Sequence, residues 1–378
     1  MKFNRLKAIA VKEVLQIVRD PRSLMLALLL PVMQILLLGY GVTLDVKHLP
    51  VCAYDAEGSQ DTQALLKRFQ ASRYFTIARV AQGESQVIGG LDRGTCNLAI
   101  VIPADFSRSL NSGGRAELQA IVDGTDSNTA TLALGYAQAV VAGYSNDVQL
   151  RWLAAHGQGA VPAAPLTVQS RVWFNEDLDS RNFIIPGIVA LIMALIGAQL
   201  TSLTIAREWE RGTMELLVST PVTPGEVMLG KLLPYFAIGL FDAALCLVFA
   251  VFWFDVPFRG AVSTLFFITS LFLVVVLGLG YLISVLIRSQ LGASQIALLV
   301  TLLPTNLLSG LAFPIDQMPA PIRAITYLVY GRYYVTALKA IFLKGAGVIE
   351  LLSPVLIMFA YAAAVTWLAA RGFRKKLV

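Results

Sequence analysis

The spacing of apolar positions changes several times along the chain. Phe3, Leu6, Ile9, Ala10, Glu13, Val14 and Ile17 fall at helical spacing with lysines on the other side. That pattern predicts an elbow helix over 1–22 lying in a membrane interface. Asp20-Pro21 ends it, because the residue before a proline is pushed out of the helical region. Long apolar runs occupy 23–43, 184–205, 229–253, 263–287, 292–313 and 351–370. Each approaches the ~20 residues needed to cross the hydrocarbon of a bilayer. The expected fold is membrane α-helical, with six transmembrane helices, an outer segment at 314–350 and a tail at 371–378.

Between the first two runs the pattern shortens. Within 44–183, "VCAYD" (51–55), "YFTIAR" (74–79), "NLAIVIP" (97–103) and "ELQAIVD" (117–123) read as buried strands. "DTQALLKRFQ" and "GESQVIGGLDRG" between them read as helices, and 127–155 as one long helix. Alternating strands and helices predict an inserted extracytoplasmic α/β domain between spans one and two. "LTVQSRVWF" (166–174) alternates as a strand leading back to the membrane. The "VDGTDSNTA" string lacks the glycine and terminal glutamate of a calcium loop and reads as a turn before the long helix.

Composition agrees with the spans. Hydrophobic residues are 56% of the chain, charged residues 14%, and the mean hydropathy is +0.68, the profile of an integral membrane protein. Lys2, Arg5, Lys7, Lys12, Arg19 and Arg22 precede the first span, and Arg371, Arg374, Lys375 and Lys376 follow the last. The positive-inside rule then predicts that both termini are cytoplasmic, together with Arg207, Arg211 and Lys231. Arg323, Arg332, Lys339 and Lys344 oppose the rule, because six spans put them outside. The basic leader is too long for a signal peptide, and no A-x-A site follows the first run. The net charge of +6 reflects orientation in the bilayer, and nothing suggests nucleic-acid binding.

Candidate chemistry is sparse. Cys52 and Cys96 fall in the outer domain, where either a disulfide or two buried thiols fit the residues. Cys246 lies in a span. His48 and His156 are far apart, and no zinc spacing occurs. "GEVMLGKL" (225–232) imitates a phosphate loop, but Val227, Met228 and Leu229 are too bulky, Leu232 stands at the magnesium position, and no strand precedes it. Thr223, Pro224 and Glu226 instead spell a capping box that starts a helix. Asp242, within the third span, and Asn306, beside Pro304, are candidates for a translocation path or dimer interface, since intramembrane polar groups are costly. For Asn306, Gln199 and Gln295, packing between helices is the alternative.

The inner loop at 206–228 alternates acid, aromatic, base and apolar groups. Its stretch "AREWERGTMELLVSTP" (206–221) resembles the cytoplasmic loop of ABC-2 type transporter permeases. "DSRNFIIPG" (179–187), "LPTNLLSGLAFPIDQMP" (303–319) and "KAIFLKG" (339–345) are similar to further blocks of that family, so the likeness covers the whole chain. It is most similar to exporter permeases of Gram-negative bacteria that carry a periplasmic domain; Glu176 and Trp209 depart from the family pattern. The resemblance implies a permease subunit of an ATP-driven exporter in the inner membrane, not itself an enzyme. It would bind no cofactor, while a separate cytoplasmic ATPase uses ATP and magnesium. Glu208, Glu210, Arg211, Gly212, Thr213, Glu215, Leu216, Leu217, Thr220 and Pro221 would form the coupling loop that meets this ATPase. Glu208, Glu210, Arg211 and Glu215 would supply charged contacts, and Leu216 and Leu217 an apolar one. A second permease chain, the same or paralogous, and a periplasmic adaptor are the other implied partners beside the lipid bilayer. Two alternatives stay open: a sodium or small-cation exporter of the same architecture, and a membrane receptor or assembly factor with a ligand-binding outer domain.

Overall fold

The computed structural model describes residues 3–21, 25–41, 48–112, 116–155, 174 and 179–372. The expected strand at 166–174, apart from Phe174, lies outside these residues, as do His156 and the basic tail from 373. Helix α1 spans Phe3–Arg19. Glu13 and Ile17 are buried, whereas Phe3, Val11, Val14, Leu15 and Val18 stay exposed. Phe3 and Val14, expected on the packed stripe, therefore face outward; Leu6, Ile9, Glu13 and Ile17, at spacings of three and four, make the stripe that packs. A π-helical turn, Met25–Leu29, leads into α2, Leu30–Gly41.

Residues 44–170 form a compact unit of their own. Its elements are β1 (Leu49–Asp55), α3 (Gln60–Ala71), β2 (Phe75–Ala81), α4 (Glu84–Asp92), β3 (Leu98–Ile102), α5 (Phe106–Asn111), β4 (Gln119–Val122) and α6 (Ser127–Ala155). All four expected strands form, in the order β2-β1-β3-β4. β1 runs parallel to β2 and β3, and β4 pairs antiparallel with β3. Parallel neighbours need crossover connections, which α3 and α4 provide. Alternation along the strands builds two cores. Val51, Leu98 and Ile100 meet Leu65 and Phe69 of α3 and Ala133, Ala137 and Tyr144 of α6. On the other face Cys52, Cys96 and Ala99 meet Val87 of α4. Cys52 and Cys96 are joined as a disulfide with Cα atoms 5.7 Å apart.

The other unit holds residues 1–43 and 171–378. After α1 and α2 it contains α7 (Ser180–Glu210), α8 (Met214–Ser219), α9 (Pro224–Val248, prolonged by a π turn to Trp253), α10 (Val262–Leu286), α11 (Gln290–Leu308), α12 (Ala320–Thr326), α13 (Tyr330–Lys339) and α14 (Leu352–Gly372). Among the described residues, five helices are long and apolar enough to cross a membrane, namely α7, α9 with its π turn, α10, α11 and α14. Ala27–Gly41, at the place of the first expected span, is shorter. α11 stops at Leu308, five residues before the expected end, because Ser309 begins a turn in which Gly310 takes φ +82°. The inner loop also contracts, since α7 runs to Glu210 and α9 starts at Pro224.

α7 is the central helix of this unit, packed by α2, α9, α10, α11 and α13. At Gly280 of α10 a β-carbon would lie 2.5 Å from the Ala198 carbonyl oxygen, so only glycine lets these two backbones cross so closely. Contacts at the helix ends fix two poles. Glu210 accepts hydrogen bonds from Gln290, joining the end of α7 to the start of α11. Gly372 lies by Leu282 and Val285, joining the ends of α14 and α10. At the other pole the Trp253 indole donates to the Tyr40 hydroxyl at 2.9 Å, and Lys339 donates to the Gly310 carbonyl at 2.8 Å while its ammonium stands 3.1 Å from the Phe183 ring. Arg332 bonds the Thr326 hydroxyl and covers the Tyr327 ring. Lys339, one of the four basic residues that oppose the positive-inside rule, thus binds to protein at the pole opposite α1.

Candidate functional site

The pole that holds α1 carries the densest chemistry of the helical unit. α7 ends where Arg211 caps it and Gly212 turns to φ +70°, the left-handed residue that commonly follows a helix. α8 follows at once. Thr223 then opens α9 with the expected capping box: its hydroxyl accepts from the Glu226 N–H at 3.3 Å, and the Glu226 carboxylate accepts from the Thr223 N–H at 2.9 Å. Just before the turn, the Ser284 hydroxyl of α10 accepts from the backbone N–H groups of Ile205 and Ala206, at 2.8 and 2.9 Å. This hydroxyl adds an acceptor to the last turns of α7, which stays helical through Glu210.

That last turn meets α1 and α9 through charge. The Lys231 ammonium, 1% exposed, donates to the Glu13 carboxylate, to Glu208 Oε1 at 3.0 Å and to the Thr204 carbonyl at 3.4 Å. An ammonium has three donors, and all three are engaged. Glu208 Oε1 also accepts from Lys12 at 2.8 Å, and Glu208 Oε2 from the Thr213 hydroxyl. Tyr235 donates to the second oxygen of Glu13 at 3.4 Å, and Arg207 pairs with Asp20 at 3.6 Å. Glu13, Glu208 and Asp20 thus balance Lys231, Lys12 and Arg207. Removing one member of such a buried set strands its partner and typically costs about 3–5 kcal/mol.

The expected coupling residues divide into two groups. Glu208, expected to face a partner, is 4% exposed and belongs to the internal cluster, because Lys231 and Thr213 draw it inward. Glu210 is engaged by Gln290, and Trp209 lies under the Arg288 guanidinium at 4.5 Å. Thr213 bonds Glu208, and the Thr220 hydroxyl donates to the Leu217 carbonyl at 2.6 Å. Pro221 offers its carbonyl to Arg5 of α1. Arg211, Gly212, Glu215 and Leu216 face outward, Leu216 at 70% exposure. Leu217, expected beside Leu216 on an outward apolar patch, instead packs inward with Met214, Ile205 and Val227. Among the described residues, the outward surface of α8 is therefore Glu215, Leu216 and Ser219, with Arg211 just before it, on a scaffold held from behind.

Asp242 lies on α9, about three turns from Lys231. It is 1% exposed, and neither carboxylate oxygen has a hydrogen-bond partner among the described residues. Asn306 is half-buried on α11. Gln199, whose side-chain oxygen also has no such partner, lines an apolar cavity of about 120 Å³ with Leu30, Leu195, Ile196, Leu200 and Leu298. Sequence reasoning overlooked Glu13, Lys12, Lys231, Arg207, Asp20 and Tyr235 as one site. Two signals were there to be read: a glutamate in the packed stripe of α1, and a lysine in the apolar run of α9.

Comparison with known proteins matches residues 22–371 to the ABC-2 family transporter proteins. The probable multidrug ABC transporter permease YbhS of Escherichia coli K12 is 40% identical over 375 residues, 98% of each chain. The probable multidrug ABC transporter permease YbhR of the same strain is 29% identical over 344 residues, 91% of each chain. The inner membrane transport permease YhhJ, also of that strain, is 28% identical over 333 residues, 87% of this chain and 86% of the relative.

Proposed function

We propose, from the premise that this chain belongs to the ABC-2 transporter family, that it is the permease subunit of an exporter driven by a separate cytoplasmic ATPase. The observation that carries this reading is α8, a short helix with Leu216 and Glu215 outward, Met214 and Leu217 anchored behind, and exposed Arg211 just before it. Such a helix fits a groove with one apolar anchor and a charged rim, the usual anatomy of a protein contact. The ATPase binds ATP and magnesium; Val227, Met228 and Leu229 sit in a helix, and Lys231 is consumed by Glu13 and Glu208, so the imitation phosphate loop has no free lysine.

The pole with α1 and α8 faces the cytoplasm, and six helices, α2 included, cross the inner membrane. Residues 44–170 then lie outside, where an oxidising compartment suits the Cys52–Cys96 disulfide. Two permease chains, the same or paralogous, assemble with two ATPases, and the outer unit is available to a periplasmic adaptor. The names of YbhS and YbhR favour amphiphilic compounds as cargo. A sodium or small-cation exporter is the weaker reading, because Asp242 is the one acidic residue deep in a span among those described. Similarity to transport permeases along nearly the full chain leaves the receptor reading with the least support.

The test is co-purification with the ATPase, followed by hydrolysis measured with and without candidate amphiphiles. A chain that binds nucleotide by itself, or that never retains an ATPase, would count against this function.

A further inference from the structure

The three donors of Lys231 reach two helices other than its own. Glu13 belongs to α1; Glu208 and Thr204 belong to α7. Through Glu208 the same ammonium is one bond from Thr213, the residue before α8, and one bond from Lys12. Lys12 is half-exposed and closes the cluster from the solvent side, whereas Glu13 and Lys231 are each 1% exposed and Glu208 4%. Sliding α7 past α9 by one hydrogen-bond length would leave a buried charge with neither water nor a partner, so the arrangement resists shear between these elements. The Ser284 hydroxyl of α10, meanwhile, accepts from the Ile205 and Ala206 N–H groups, so the last turns of α7 are tied to α10 as well.

We propose that Lys231 is a positioning residue whose ammonium pins α1, the last turn of α7 and the first turns of α9 together. A push on α8 then moves all three as one body against the remainder of the bundle. The idea rests on residues 211–221 being the ATPase contact. It adds that the motion is delivered to the third span and the elbow helix together, through one lysine.

Two measurements test it. In the chain by itself, embedded in lipid nanodiscs, Lys231→Met strands Glu13 and should raise amide exchange over 3–19 and 211–219 about tenfold. Glu13→Gln combined with Lys231→Met removes both charges, leaves Glu208 with Lys12, and should return exchange close to the parent value. In the complex with the ATPase, spin labels at Val18 of α1 and Leu233 of α9, both exposed, report whether the two helices travel together. With the pin present, their separation should change by less than about 2 Å, the size of an ordinary helix shift, between nucleotide-free and ATP-trapped states. In the doubly neutral variant it should change by more.

Unchanged exchange in Lys231→Met, a large shift between the labels in the parent complex, or label separations that change equally in parent and double variant would each overturn the pin. Failure of the parent chain to hold an ATPase would instead sink the permease reading, while the exchange measurement still decides whether the pin exists.

Discussion

Gly90 of α4 lies directly against Cys96: a β-carbon on Gly90 would stand 2.6 Å from the Cys96 sulfur and 2.9 Å from that of Cys52. The bridge and the helix crossing it are therefore mutually dependent. Gly90→Val is expected to block closure of the disulfide in the cell, read as free thiols by alkylation after rapid lysis. Complete oxidation in that variant would refute the dependence.

The bridge closes a loop between residues 44 apart. In the chain-entropy treatment such a closure contributes about 4 kcal/mol. Replacing both cysteines by serine should make residues 44–170 far more sensitive to protease in the full chain, while the helical unit keeps its melting behaviour. Equal sensitivity with and without the bridge would contradict this.

On α8 the outward residues and the buried ones should fail differently. On the proposed function, Leu216→Asp, or Arg211→Glu with Glu215→Lys, should release the ATPase while membrane insertion and expression stay normal, since these side chains are exposed on the helical unit. Glu208→Leu should instead lower the yield of folded chain, because Lys231 and Lys12 lose a shared carboxylate. Pull-down of the ATPase beside size-exclusion profiles separates the two outcomes.

How far these features could be read beforehand depended on their range along the chain. The capping box of Thr223 and Glu226 spans four residues, and the four strands of the 44–170 unit are short apolar runs bounded by turns; such local patterns leave a mark in sequence. The stop of α11 at Leu308 did not, because Leu311 and Phe313 continue the apolar run past the point where Gly310 turns the backbone. Adjacent Leu216 and Leu217 looked equivalent, and only the roll of α8 against Ile205 and Val227 distinguishes them. Lys231 and Glu13, 218 residues apart, share no pattern at all. Their pairing follows from α1 packing on α9 at Gly230, where a β-carbon would lie 2.8 Å from that of Ile9.

The unit of residues 44–170 should also lose stability at alkaline pH through Tyr144, whose hydroxyl donates to the Asp61 carbonyl at 3.0 Å. Burial, and then the Asp61 charge, raise this phenol above its ordinary 10.0. Because the folded value is the higher one, its contribution is whole below pH 10 and is lost as pH climbs through the folded value. Tyr144→Phe should flatten that decline in a denaturation series; an unaltered alkaline slope would exclude Tyr144 as its source.

Gly280→Val tests the crossing of α7 and α10. The obstacle is the Ala198 carbonyl, which is backbone and cannot swing aside, so overpacking should cost about 3 kcal/mol or more. The expected result is a sharply lowered melting temperature in detergent. A melting temperature within a degree of the parent would show that the helices separate without penalty.

The tie between Glu13 and Lys231 also imposes an order of events. At about 5–20 residues per second of synthesis, the glutamate emerges roughly 10–40 s before the lysine that will bury it. Throughout that interval α1 lacks the helix it packs on, α9, yet its carboxylate needs water and its apolar residues need to escape it. The bilayer surface meets both needs at once, with Phe3, Val14 and Val18 available to the lipid and Glu13 and Lys12 still hydrated. The residues that stay exposed in the finished protein would thus be the ones that hold the newborn helix in place until its partner arrives.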